Sequence, residues 1–77
     1  MNATFKIQKV NIEGQRTYVR ASVVKPCNFA VSSGSMLGGI RLLPELWVAD
    51  EGVFLFRLER PADCFQLKIG DIVNLGT

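Results

Sequence analysis

Histidine is absent from the 77 residues, so the side chain most often used as general base and metal ligand is missing. A Ser-His-Asp or Cys-His arrangement cannot be assembled within one such chain. Two acids stand together, Asp50 and Glu51, but neighbours in a turn send their carboxylates apart into solvent, which is not the geometry of paired-acid catalysis. The run SSGSMLGG at 32–39 invites comparison with phosphate-cradling loops, yet it lacks the Lys-Ser/Thr ending of a P-loop and does not fit G-x-G-x-x-G. It reads as a flexible surface connector, with Met36 and Leu37 exposed at its middle and able to order on a partner. No catalytic residues are expected, and the chain is not read as an enzyme.

Two patterns point to binding. In Arg16-x-Tyr18-x-Arg20, strand alternation places two guanidinium groups around one aromatic ring on a single outward face. Such a stripe can stack a base and pair with flanking phosphates, with Lys6 and Lys25 as further cations. It can equally stabilise a sheet by cross-strand packing and cation–π contact. The second pattern is Val53, Leu55 and Arg57 on the polar face of a strand, a mixture of large apolar groups and Arg that is enriched at protein interfaces. Trp47 is either a second anchor for a partner or a core residue or lid over a barrel mouth.

Composition narrows the function classes. With 48% apolar residues, a chain this short has more apolar side chains than a small core encloses, so a partner or a second copy is expected to cover some of them. A net charge of +2 is too small for a dedicated nucleic-acid or membrane binder. No basic stretch leading into an apolar run marks a signal peptide, and no apolar segment approaches the roughly 20 residues that span a bilayer, so a cytoplasmic location and no membrane partner are expected. Cys27 and Cys64 lie outside any C-x-x-C or Cys/His arrangement; two reduced, partly buried thiols are expected, and neither zinc nor another cofactor.

The elements that must position these residues read mostly as strands. Segment 3–12 has apolar Phe5 and Ile7, then Val10 and Ile12, an alternation that changes phase once and so implies a bulge near Gln8 or Lys9. Glu13-Gly14-Gln15 is a turn in which Gly14 can take positive φ. The run 16–25 is a second strand with Thr17, Val19, Ala21 and Val23 inward and Arg16, Tyr18, Arg20 and Ser22 outward, ended by Pro26. Phe29 to Val31 reads as a short third strand. In 40–49, Pro44 either opens a helical turn through Glu45, Leu46 and Trp47 or interrupts two short strands. Asp50-Glu51-Gly52 turns the chain into 53–60, a strand with Phe54, Phe56 and Leu58 on one face. Pro61-Ala62-Asp63 turns it again, Phe65, Leu67 and Ile69 alternate, and Gly70-Asp71 leads tightly into a last strand at 72–75.

The opening, Phe5-Lys6-Ile7-Gln8-Lys9-Val10-Asn11-Ile12-Glu13-Gly14-Gln15-Arg16-Thr17-Tyr18-Val19, resembles the start of the second β-barrel domain of translation GTPases, the elongation factor Tu family. Val53-Phe54-Leu55-Phe56-Arg57-Leu58 and then Leu67-Lys68-Ile69-Gly70-Asp71-Ile72-Val73 are similar to that domain's later strands and its Gly-Asp turn. The chain departs from the pattern in three ways. No nucleotide-binding domain accompanies it, Thr17 stands where a glycine usually follows the basic residue, and 27–51 has no counterpart. What the resemblance implies is a barrel fold, in a family where that barrel contacts RNA or partner domains and performs no chemistry.

The expected architecture is therefore all-β: one domain over 1–77, a small, partly closed Greek-key or meander barrel of about five to seven short strands with at most one short helical turn. The expected function is a non-catalytic binding module acting through a protein partner or as a homodimer, with Tyr18, Trp47, Val53, Leu55 and Arg57 as contacts. Single-stranded RNA binding through Lys6, Arg16, Tyr18, Arg20 and Lys25 is the alternative. A small-molecule ligand is not expected.

Overall fold

The computed structural model describes residues 3–25 and 28–76. Six strands, β1 (Ala3–Glu13), β2 (Arg16–Val23), β3 (Met36–Leu37), β4 (Ile40–Asp50), β5 (Val53–Leu58) and β6 (Ile72–Gly76), close into an antiparallel barrel in the order β1-β2-β5-β4-β3-β6. One 3-10 helix, Pro61–Gln66, is the single helical element among the described residues, and no helix there is long and apolar enough to cross a membrane. The hairpin-linked strands β3, β4 and β5 are flanked by β2 beside β5 and by β6 beside β3, which makes two overlapping Greek keys.

The local reasons are legible strand by strand. In β1 and β2 the register runs Ile7 to Ala21 and then Lys9 to Arg20, so Gln8 is the extra residue of a bulge. The bulge is why Ala3, Phe5 and Ile7 face the core at odd positions while Val10 and Ile12 continue on that side at even ones. Thr17, Val19 and Ala21 are buried opposite them, with Val23 half-buried. The two strands join through Gly14 at φ 62 and Gln15.

The core is built on Phe5, which meets Phe29, Phe54 and Phe56 edge-on at centroid distances of 5.1, 6.2 and 5.0 Å. These perpendicular arrangements bring positive ring edges onto negative ring faces. Ile7, Val19, Ala21, Leu37, Ile40, Leu42, Leu58, Leu67 and Leu75 complete it. Cys64 is buried beside them as a free thiol. Cys27, and Pro26 as the end of the second strand, lie outside the described residues; β2 itself ends at Val23.

Four expectations are corrected. Phe29 to Val31 is not a strand but irregular chain, because Phe29 packs down onto Phe5 and Phe54 as a half-buried plug with Val31 behind it. The 32–39 segment is not a loose connector: Ser35 N–H donates to Ser32 O at 3.0 Å, Ser32 N–H donates to Ser35 Oγ at 2.9 Å, and Ser35 is buried. Leu37 is likewise buried, as part of β3, which leaves Met36 as the exposed member of that pair. Pro44 neither opens a helix nor splits the strand. β4 runs on through it, and the irregularity appears as a register shift against β5 between Leu42 and Leu46. Finally, the alternation Phe65-Leu67-Ile69 is not a strand. Pro61 supplies the fixed φ of a helix start, so 61–66 coils, and only Leu67 turns inward.

Candidate functional site

The barrel is closed, but two of its strands outrun their neighbours, in opposite directions along the wall. Beyond Ile7, β1 pairs with β2 alone, and beyond Leu42, β4 pairs with β5 alone, because β6 and β3 are short. Between these two free edges β1-β2-β5-β4 form one continuous four-stranded sheet in the wall, with Tyr18 and Leu55 on its two central strands.

On the outer face of that sheet Asn11 pairs with Tyr18, Tyr18 with Arg57, Arg20 with Leu55, and Leu55 with Trp47. A shallow cleft of about 380 Å³ results, lined by Asn11 and Glu13 from β1, Tyr18 from β2, Leu55 from β5, and Trp47 and Val48 from β4. Trp47 is 53% and Val48 73% exposed, whereas Tyr18 and Leu55 between them are half-buried. The arrangement offers an aromatic and aliphatic floor with one carboxylate, one amide and one phenol to orient a ligand.

Of the expected partner contacts, Tyr18, Trp47 and Leu55 meet in this cleft. Trp47 stands outside the barrel, neither core nor lid. Arg57 is at the margin, opposite Tyr18 in register, and its Nη1 donates to Glu45 Oε1 and Oε2 at 3.1 and 3.2 Å. Val53 is half-buried at the far end of β5, opposite Ser22 and Asp50, and does not line the cleft.

The cationic set is more dispersed. Arg16, Tyr18 and Arg20 do share the outward face of β2. Arg16 is opposite Glu13 at the hairpin tip, and Arg20 Nε donates to Gln8 Oε1 at 3.2 Å while facing Lys9 in the ladder. Lys6 is exposed between Ser22 and Ile72, and Lys25 lies past the end of β2, outside the sheet.

Asn11, Glu13 and Val48 were not among the expected contacts. The phase change in β1 was the available signal for the first two, since it turns Asn11 and Glu13 toward the side of Tyr18. Nothing in the sequence marks Val48. A second groove of about 500 Å³ was also unforeseen; it is lined by Lys9, Val10, Ile12, Cys64, Phe65, Leu67 and Ile69. It lies on the other face of β1, and the 3-10 helix with the chain after it forms its far wall. No family model, curated protein or solved structure matches the chain.

Proposed function

We propose that this chain is a non-catalytic binding module, and that it engages a protein partner or another copy of itself through the cleft of Tyr18, Leu55 and Trp47, with Arg57 at the margin. The observation that carries this reading is the exposed Trp47 beside the half-buried Tyr18 and Leu55 on one sheet face, with the exposed Val48 also lining their cleft. Large aromatic side chains beside aliphatic ones, rimmed by an ion pair, form the kind of patch in which binding energy concentrates. Trp47 is the single tryptophan, so its fluorescence reports the site directly.

The test is affinity capture and titration with the intact chain and with Trp47→Ala and Leu55→Ser. A protein retained by the wild type and released by both variants, with a blue shift of the Trp47 emission on binding, supports the reading. Retention unchanged in both variants overturns it.

A second reading, single-stranded RNA binding, is supported by Lys9 facing Arg20 in the ladder next to Tyr18, two cations that an anion would bridge. Titration with single-stranded RNA at two salt concentrations separates it from the first. Binding that weakens steeply with salt and is lost in Tyr18→Ala favours RNA.

A further inference from the structure

The free edge of β1 carries a self-complementary sequence. Thr4 O accepts from Val24 N–H on the β2 side, and Ile7 exchanges hydrogen bonds with Asp71 and Gly70 on the other side, at 2.9 and 2.8 Å. After Ile7, among the described residues, nothing pairs with β1 on that second side. Antiparallel ladders alternate, and the bulge at Gln8 shifts the alternation by one. The N–H and C=O groups of Val10 and Ile12 are therefore the ones aimed away from β2 and left without a strand to bind.

We propose that this edge is the seat of a two-fold dimer, in which the segment Lys9-Val10-Asn11-Ile12-Glu13 pairs antiparallel with the same segment of a second copy, centred on Asn11. In that register Val10 lies opposite Ile12 of the other copy, and their outward groups form four backbone hydrogen bonds about the axis. Lys9 lies opposite Glu13 of the other copy, twice by symmetry, and Asn11 opposite its own equivalent. The charge match is the reason to place a second copy there: opposite charges directly across a ladder attract, and a one-step slip sets Lys9 against Ile12 or Gly14 and loses the match.

The same operation covers exposed apolar surface. Ile12, Phe65 and Ile69 are 60%, 81% and 75% exposed, and all line the groove beside this edge. Pairing about Asn11 brings the two grooves together on one face and the two Trp47 clefts onto the opposite one. β4 is a poorer candidate: Pro44 removes a backbone donor, and of its own opposite-charge pair Arg41 is already in register with Met36 of β3 while Glu45 is held by Arg57. The dimer goes beyond the cleft reading and does not depend on it: it engages Asn11 and Glu13 at the β1 wall of the cleft and leaves Tyr18, Leu55 and Trp47 free.

Sedimentation equilibrium tests the edge with charge swaps. Lys9→Glu alone and Glu13→Lys alone each place like charges face to face and are expected to weaken the dimer at least about tenfold. The combined Lys9→Glu/Glu13→Lys chain restores the complement and is expected to recover wild-type association. Asn11→Cys gives an independent reading: directly opposite Cα atoms lie within disulfide range, so mild oxidation yields a covalent dimer whose cross-linked peptide joins position 11 to position 11. A wild-type chain that stays monomeric at about 1 mM overturns the proposal, as does failure of the combined swap to restore association or a cross-link that avoids position 11.

Discussion

Arg57 holds Glu45 across β5 and β4 at the first of the two places where those strands lose register, bridging the stretch that Pro44 disturbs. Both side chains are about a quarter to a third exposed, so water screens the pair and its contribution is small. Arg57→Met is expected to lower unfolding free energy by at most about 1 kcal/mol, with the difference shrinking in high salt. Urea titrations at two ionic strengths check both parts, and a salt-independent loss of several kcal/mol would refute the surface-pair description.

The aromatic cluster predicts a graded response. Phe5 is wholly buried and central to the rings, so Phe5→Ala is expected to cost about 3–5 kcal/mol, most of what a domain of this size has available. Phe29 is half-buried at the edge of the cluster, and Phe29→Ala is expected to cost about half as much. Denaturant midpoints of the two variants, with near-ultraviolet circular dichroism to follow ring packing, measure the ratio.

Thr17 presents an opposite case. It is buried in β2, and its Oγ1 finds no hydrogen-bond partner among the described residues. Thr17→Val keeps the branched shape suited to a strand and removes the unpaired hydroxyl, and it is expected to stabilise the barrel by about 1 kcal/mol. A thermal or chemical unfolding curve showing a loss would contradict the unpaired state.

The Leu37–Ile40 turn depends on glycine at one point more than the other. Gly38 has φ 61, and a Cβ there would come within 2.9 Å of Val73 Cγ1; a Cβ at Gly39, with φ 83, would meet no atom within 4 Å among the described residues beyond its chain neighbours. Gly38→Ala is expected to cost about 1–2 kcal/mol and lower Tm by roughly 5–15 °C. Gly39→Asn, which tolerates the left-handed region, should cost much less. Equal losses in the two variants would show that the contact with Val73 carries no weight.

These relationships also mark how far the sequence could be read. Period-two alternation identified β1, β2 and β5, and the single phase change between Ile7 and Val10 located the bulge, because each signal is a property of neighbouring residues. Phe29, Leu37 and Ser35 were misplaced for the converse reason. Their burial comes from partners distant in the chain, such as Phe5 for Phe29, and local pattern carries no trace of that. Phe65 and Ile69 alternate with Leu67 like a strand, but the fixed φ of Pro61 had already committed the segment to a coil. In the cleft, Tyr18, Leu55 and Trp47 were legible as outward aromatic and aliphatic residues, whereas Val48 joined them only through the pairing of β4 with β5.

Ala3 is hydrogen-bonded into the same ladder as Leu75, so the two ends of the described chain meet. Closure entropy for a loop of that span must be spent before the contact gives anything back, which places this topology among slow folders, on a scale of roughly milliseconds to seconds. On the ribosome, the first hairpin must wait, its apolar inner side open to water, until the last strand has left the exit tunnel. The nascent chain is consequently open to chaperones and proteases until the stretch that ends at position 76 has cleared the tunnel.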